Sequence, residues 1–472
     1  MNQQPLVSVI IPAYNNAEYL GDAIKSVLRQ TYGSFELIIV NDASPDNTDN
    51  VIKSFTDPRI RYFQHEINKG LSAARNTGIR ESQGDFVALL DGDDYFHVDK
   101  LYAHVNFLVR HPDIDVTYNA RFELNHSSTT VRELWRPPKE VGLADFILGY
   151  PFSPSDMVLR RNCLFQVSLF DESYTYYGED MDINCKLALA GYKFASVDKA
   201  LNYRRFHSER TIKNLALYKE DEFRPLYKTF ADDRFPKNLS VLKDISFSNR
   251  YLGWAIFAFL QEDTALGQEY FKEATRLNPS LLENGSHNIA QELIKFSILD
   301  DRRDHEKLLR NLIRQLPDEF KPEVKQAEER LIARGYLLKG VRAIIWDRLE
   351  EGKEYFIRAA VRGAQMNTSL FSQISADLVS YEKEFGTAAA QKAFQDLTPL
   401  IDKIENPTTT HWSKGLHLIN KAYMSFNKGE YAKALSWIVQ AFMLEPAYLR
   451  NRGMIKVFLL SLTRRISDEV SN

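Results

Sequence analysis

The first ninety residues alternate short apolar runs with segments of helical period. Val7-Ser8-Val9-Ile10-Ile11 is an apolar, β-branched run stopped by Pro12, the pattern of a buried strand. Leu20, Ala23, Ile24, Val27 and Leu28 then recur at three- and four-residue steps and give a helix one apolar face. Phe35 to Val40 predicts a second strand, closed by Asn41-Asp42-Ala43-Ser44-Pro45-Asp46. Thr48 to Phe55 predicts a helix, Ile60 to Phe63 a third strand, Leu71 to Ser82 a helix and Asp85 to Leu90 a fourth strand. Strands separated by helices predict an α/β fold with a mainly parallel, Rossmann-like sheet covered on both faces. Ligands of such sheets sit beyond the carboxyl ends of the strands. Those ends carry Pro12-Ala13-Tyr14-Asn15, Asn41-Asp42-Ala43-Ser44 and Asp91-Gly92-Asp93-Asp94 to one rim.

From about residue 240 the strand pattern fades and helix formers dominate, so we divide the chain into an α/β domain over 1–225 and an all-α domain over 240–472. A weak repeat runs through the second part. Trp254-Ala255 through Asn278-Pro279 resembles Lys421-Ala422 through Glu445-Pro446, with Ala265 and Ala274 matching Ala432 and Ala441. A looser copy starts near Ala343 and ends at Asn367-Thr368. Paired helices with small residues at their contacts and a closing proline predict degenerate tetratricopeptide-like repeats or a generic helical bundle. Such a region is expected to take a protein partner or to self-associate.

Composition narrows the function classes. The 472 residues carry a net charge of −3, which gives no global field for nucleic acid, and no nucleic-acid partner is expected. Two cysteines, Cys163 and Cys185, cannot build a disulfide scaffold and suit a reducing compartment. Met1 to Pro5 lacks the order of a signal peptide. No run reaches the ~18–20 apolar residues that span a bilayer. Val457 to Leu462 reads either as a terminal helix docked on its own domain or as a surface helix on a membrane. A cytoplasmic protein is expected, or one peripheral at the inner face of the membrane.

The strongest chemical signal is Leu89-Leu90-Asp91-Gly92-Asp93-Asp94. A strand end rich in acid, with a glycine to turn the backbone, suits a hard divalent cation, although Asp94 can equally cap the next helix. Upstream stands Asn68-Lys69-Gly70-Leu71-Ser72-Ala73-Ala74-Arg75-Asn76-Thr77-Gly78. Further on come Phe170-Asp171-Glu172, Gly178-Glu179-Asp180-Met181-Asp182 and Tyr203-Arg204-Arg205-Phe206-His207. Taken in order over about residues 5 to 215, these segments resemble the family-2 inverting glycosyltransferases, whose fold is the GT-A nucleotide-sugar type.

The resemblance implies a metal-dependent hexosyltransferase that inverts the anomeric centre and serves polysaccharide biosynthesis. A nucleotide sugar, UDP-linked as the first choice, would be the donor; a glycan, a lipid-linked glycan or a protein hydroxyl would be the acceptor. Mn²⁺ or Mg²⁺ would bridge the diphosphate. Asp93 would ligate the metal and Asp91 would contact the ribose or a metal-bound water. His207 matches a position that contacts metal or diphosphate in many relatives. Pro12, Ala13 and Tyr14 would form the base loop, with Tyr14 stacking on the ring, Asp42 accepting a pyrimidine N–H and Arg75 facing base or diphosphate. Asp180 matches the general base, which takes the acceptor proton, and Glu179 helps bind the acceptor or fix the loop. Acids at a helix N-terminus would also explain Glu179, Asp180 and Asp182. Phe152, Trp135 and Tyr177 are candidates for stacking on sugar. Asn41 departs from the pattern, because many relatives carry a second aspartate there. The competing classes are a catalytically inactive platform beside a helical scaffold, which the acids at 91, 93 and 180 argue against, and a sugar-phosphate nucleotidyltransferase, which would typically carry a glycine-rich loop with a basic residue where Pro12-Ala13-Tyr14-Asn15-Asn16 stands. A dehydrogenase is not expected, because no Gly-x-Gly-x-x-Gly follows a strand.

Overall fold

The computed structural model describes residues 4–125, 130–175, 177–205, 215–299, 303–366 and 368–404. Between 415 and 463 it describes 415, 418, 419, 421, 422, 425, 426, 429–444, 455 and 457–463. The chain opens with β1 (Val7–Ala13), α1 (Ala17–Leu28), β2 (Phe35–Asn41), α2 (Thr48–Lys53), β3 (Ile60–Gln64), α3 (Leu71–Glu81) and β4 (Phe86–Leu89). These are the strands and helices that the apolar pattern predicts. Then follow β5 (Tyr95–Phe96), α4 (Lys100–Arg110), β6 (Val116–Leu124), β7 (Val131–Trp135), α5 (Leu143–Leu148), β8 (Met157–Arg160), α6 (Arg161–Gln166), α7 (Glu179–Leu189) and β9 (Phe194–Arg205).

The strands form one nine-stranded sheet in the order β3-β2-β1-β4-β8-β6-β9-β5, with β7 paired to β6. The first four strands are mutually parallel; β4 to β8, β8 to β6 and β9 to β5 run antiparallel. β1 is buried on both faces because alternate side chains meet different helices. Val7, Val9 and Ile11 join a core with Leu20, Ala23, Ile24 and Val27 of α1 and with Leu101, Val105 and Leu108 of α4. Ile10 points the other way, to where α3 comes close enough that a Cβ on Gly78 would lie 2.4 Å from Ile10 Cγ2.

Helices fill the remainder: α8 (Leu215–Ala231), α9 (Lys243–Leu260), α10 (Thr264–Leu277), α11 (Glu283–Ser297), α12 (His305–Gln315), α13 (Lys321–Gln326), α14 (Glu328–Ile345), α15 (Leu349–Val361), α16 (Thr368–Ile404) and α17 (Tyr431–Leu444). The chain divides into two compact units, Met1–Ile289 with Asn311–Pro322, and Ala290–Arg310 with Glu323–Asn472. The first unit therefore holds the sheet together with α8, α9 and α10.

The small residues expected at the helix contacts are only partly those named from the sequence. Ala274 and Ala441 are buried, but Ala265 and Ala432 are exposed. Two residues further on, Gly267 and Ala434 take the contact position. Gly267 lies against Phe259, where a Cβ would come within 2.3 Å, and in the other unit Gly352 lies against Ile344 in the same way, within 2.4 Å. Glycine seven residues before a buried alanine thus occurs at Gly267/Ala274 and Gly352/Ala359.

Both cysteines are buried and free. Among the described residues no helix is long and apolar enough to cross a membrane. Within 457–463, Val457 and Ser461 are buried while Leu459 and Leu462 are exposed.

Candidate active site

Strand register brings three loops to one level. Ala13 pairs with Asn41, Asn41 with Gln64 and Ile10 with Leu89, so the residues after β1, β2 and β4 leave the sheet at the same rim. Asn15 and Ala43 both have φ of 53°, a left-handed backbone that non-glycine residues hold only when neighbours enforce it. The enforcement is visible. Ser44 Oγ accepts the Asn15 N–H at 2.7 Å, and Asp46 Oδ2 accepts the Ala17 N–H at 2.9 Å. Burial works against ionisation of Asp46, yet the hydroxyls of Ser44 and Thr48 and the N–H groups of Ala17 and Thr48 hold its carboxyl down at about 2. The first two rim loops are thus laced together. Pro12 and Ala13 are buried beneath them, and Tyr14 is left 49% exposed with its ring available.

Asp42 is buried and turned towards the segment that enters α3. Its Oδ1 accepts the His65 Nδ1 proton at 2.6 Å and the Lys69 N–H at 2.8 Å, and its Oδ2 accepts the Gly70 N–H at 2.8 Å. The other ring nitrogen of His65, Nε2, lies 2.9 Å from the Thr77 hydroxyl, so the imidazole is held between Asp42 and α3. His65 was not singled out from the sequence. A lone histidine after a strand gives no pattern that would mark it. Asn41 is buried and its Oδ1 accepts the Ser44 N–H at 2.9 Å, so the departure from aspartate still holds the turn.

The acidic loop after β4 is fixed by Ser155, whose Oγ accepts the Asp91 N–H at 3.0 Å. Asp94 is buried and accepts the Arg205 N–H at 3.0 Å, so it ties the end of β9 to the rim; the residue that precedes α4 is Asp99. Burial, followed by the charges of Asp93 and Asp91, pushes the Asp94 carboxyl well above the usual range. Arg205 also donates to the Asp93 carbonyl at 2.8 Å and to Asp22 at 2.7 Å, with its guanidinium over the rings of Tyr19 and Tyr95. Asp93 itself is partly exposed at the rim.

Arg75 connects this loop to the second acidic motif. It is 2% exposed; Nη2 donates to Asp91 at 2.7 Å and Nη1 to Glu179 at 2.8 Å, while Nε is buried with no hydrogen-bond partner. One guanidinium therefore holds together α3, the acidic rim loop and the start of α7. Glu179, Asp180 and Asp182 all lie in the first turn of α7. Gly178 precedes them with φ of 90°, and a Cβ there would lie 2.5 Å from the Asp221 carbonyl oxygen, so only glycine fits this turn. Asp182 faces away from the Arg75 link, paired with Lys186 at 2.7 Å and Lys228 at 2.5 Å.

Asp180 accepts the Met181 N–H at 2.8 Å. Burial first, then the charge of Glu179, pushes its carboxyl up to about 7; Arg75 pulls the other way and Glu222 adds to the rise. A carboxylate with that affinity takes and gives a proton near neutral pH. Behind it stand Tyr150, Glu222 and Arg250, none of which the sequence pointed to. Their positions after α5, in α8 and in α9 become neighbours only through the fold.

Of the aromatic residues considered for stacking on sugar, Phe152 is core, buried and stacked on Tyr118 with centroids 4.6 Å apart. Trp135 donates Nε1–H to the Pro151 carbonyl at 3.1 Å, and Tyr177 packs against Tyr218. His207 lies outside the described residues.

The donor set at the rim is compatible with a hard divalent cation. Three acids are gathered at residues 91, 93 and 94, and the charges of Asp93 and Asp91 add to the burial that raises Asp94. Among the described residues no three His, Cys, Asp or Glu side chains make a ready cage. One or two carboxylates completed by substrate phosphates is the ordinary arrangement for Mg²⁺, and Asp93 suits it.

Comparison with known proteins places the chain in a family. Residues 8–166 match the sequence model of glycosyl transferase family 2. An uncharacterised glycosyltransferase of Rickettsia typhi is 34% identical over 232 residues, covering 48% of this chain and 71% of its own. An Escherichia coli protein named as a UDP-Glc:α-D-GlcNAc-diphosphoundecaprenol β-1,3-glucosyltransferase is 35% identical over 134 residues, covering 28% of this chain and 52% of its own. A Staphylococcus aureus TarS fragment, solved with UDP-GlcNAc, superposes with a TM-score of 0.41 at 19% identity, over 75% of this chain and 91% of the fragment. With the sheet, the acidic rim and a relative matched over most of its length, the chain belongs to glycosyltransferase family 2.

Proposed function

We propose that the protein is a divalent-metal-dependent, inverting hexosyltransferase that moves a sugar from a UDP-linked donor to a hydroxyl of a lipid-linked glycan in polysaccharide assembly. The observation that carries this reading is the Arg75 bridge, because it draws the acidic rim loop and the Glu179-Asp180 turn into one cluster. Tyr14, exposed at the rim, would stack on the base above Pro12 and Ala13. Asp42 would reach the base only through its remaining lone pairs, since both oxygens already serve the loop before α3. Asp91, held by Arg75, would orient the ribose, and Arg75 itself acts through Asp91 and Glu179.

Asp93 would hold Mn²⁺ or Mg²⁺ against the diphosphate, with His207 the second residue proposed for this role. The cation would supply neutralisation of the negative charge that grows on the diphosphate as it departs. Asp180 would take the proton of the acceptor hydroxyl while that oxygen forms its bond to the anomeric carbon. The bond from that carbon to the diphosphate oxygen breaks in the same step, and the nucleoside diphosphate leaves with the electron pair. One displacement inverts the centre. The E. coli relative, named for UDP-glucose and an undecaprenyl diphosphate-linked sugar, supports both the donor and the acceptor class. A lipid-linked acceptor would bring the protein to the inner face of the membrane. The glycine and alanine spacing in the helical hairpins supports tetratricopeptide-like repeats that take a protein partner.

The experiment is release of nucleoside diphosphate from a panel of nucleotide sugars with Mn²⁺, Mg²⁺ or EDTA. The expected outcome is turnover of a UDP-sugar that needs the metal and falls by about 10²-fold or more in Asp93→Ala. Equal turnover with EDTA, or in Asp93→Ala, would overturn the metal role.

A further inference from the structure

Three residues outside the motifs of the family converge behind the first turn of α7. Glu222 of α8 is buried; its Oε2 accepts the Tyr150 hydroxyl at 2.9 Å, and its Oε1 lies 3.3 Å from Arg250 Nε. Arg250 of α9 is buried as well. Its guanidinium lies over the Tyr150 ring at 4.5 Å, and its Nη2 reaches Met181 Sδ at 3.4 Å. Met181 is the residue whose N–H is given to Asp180. The same helix is anchored to the approach to Tyr150, because Asn249 Nδ2 donates to the Leu148 carbonyl at 3.1 Å. A buried ion pair of this kind is a poor source of net stability, since desolvation offsets most of its attraction. Plain packing of α8 and α9 on α7 would be achieved as well by leucine and methionine.

We propose that Glu222 and Arg250 are positioning residues of the transfer site, and that with Tyr150 they form a latch through which α8 and α9 set the place and basicity of Asp180. The helices that follow the sheet domain are then part of the active site and not only a partner-binding appendage. The inference rests on the reading of Asp180 as the base, but the latch can be tested without turnover.

The groups that act on Asp180 come from every element around it. They are Glu179 on its own helix, Arg75 from α3 and Glu222 from α8, with Tyr150 after α5 coupled to Asp180 and Arg250 from α9 acting on Glu222; Asp182 is engaged by Lys186 and Lys228. Of these, Glu222 is a like charge whose removal leaves the Arg75 bridge intact. Burial pushes the Glu222 carboxyl up, while Arg250 and the Tyr150 hydroxyl favour its charged form. An ionised Glu222 repels the charge on Asp180 and so raises its affinity for a proton.

The test uses the full-length chain labelled at the methionine methyls, with the Met181 methyl shift followed by NMR from pH 5 to 9. The wild type is expected to titrate with a midpoint near 7. In Glu222→Gln the midpoint should fall by about half a pH unit or more, because a repelling charge is gone. Tyr150→Phe should move it the same way by less, since Glu222 then loses a bond that favours its charged form. Glu222→Asp, which restores a charge, should bring the midpoint back towards the wild type. The other methionine methyls keep their positions in a folded variant, and Tyr150→Phe, at a half-open position, serves if Glu222→Gln does not fold. An unchanged Met181 midpoint in folded Glu222→Gln or, failing that, in Tyr150→Phe overturns the latch. A moved midpoint in a protein that turns over no donor would keep the latch and reject the transferase reading instead.

Discussion

Asp180→Asn will lower transfer by about 10²–10⁴-fold while donor binding stays at the wild-type level, the loss expected when a general base is removed without disturbing shape. Asparagine fills the same volume and can still accept the Met181 N–H through its carbonyl oxygen, so the first turn of α7 keeps its form. What disappears is the ability to take a proton. With its carboxyl at about 7, Asp180 is about half ionised at neutral pH, and a normal aspartate near 4 would be a far weaker base. The measurement is steady-state turnover with separate determination of donor affinity. A fall in kcat with constant donor affinity marks a group that acts in the transition state, whereas a rise in KM alone would mark lost binding. Turnover within a factor of a few of wild type would remove Asp180 from the chemistry.

Arg75→Met will cost about 3 kcal/mol of stability, near the lower end of what is lost when one partner of a buried ion pair is deleted. Methionine replaces the packing against Phe170 but leaves Asp91 and Glu179 facing one another without a cation. The Asp91 side chain is 30% exposed, and water takes up part of that loss, which is why the upper end is not expected. The same variant carries a second signature. Arg75 holds the Asp180 carboxyl down against burial and Glu179, so without it Asp180 binds its proton more tightly and the rise in activity with pH moves to higher pH. Urea unfolding monitored at pH 7 measures the first effect and a pH–rate profile the second. A stability loss below ~1 kcal/mol would show that the bridge is not what holds the two acidic loops together.

The part of this architecture that could be read in the sequence is the part made of apolar runs. β1, β2 and β4 are buried on both faces, so Val7 to Ile11, Phe35 to Val40 and Phe86 to Leu89 stand out as unbroken hydrophobic segments. β6 is equally buried, yet it reads Val-Thr-Tyr-Asn-Ala-Arg-Phe-Glu-Leu, and its polar side chains hide it. They are satisfied inside the fold: Arg121 reaches Asp156 at 2.6 Å and Glu123 at 2.8 Å, and Thr117 donates to the Val158 carbonyl at 2.9 Å. Polar residues paired across 35 positions leave no local period. Hence the antiparallel half of the sheet could not be seen beforehand.

The candidate site divides along the same line. Asp91, Asp93, Glu179 and Asp180 sit at element ends with short, ordered spacing, and such spacing is visible in a sequence. Arg75 was visible as a residue but not as a bridge, because its two carboxylates lie 16 and 104 positions away. Glu222 and Arg250 lie in helices whose apolar faces explain their presence without reference to the rim. Only the packing of α8 and α9 beside α7 brings them to Met181.

The most direct test of the central claim is the pH dependence of kcat/KM for donor turnover between pH 5 and 9, in the wild type and in Asp180→Asn. The account predicts a limb that climbs about tenfold per pH unit, levels off near pH 7 and is absent from the low residual activity of the variant. A flat profile in the wild type, or the same limb surviving in Asp180→Asn, would contradict it.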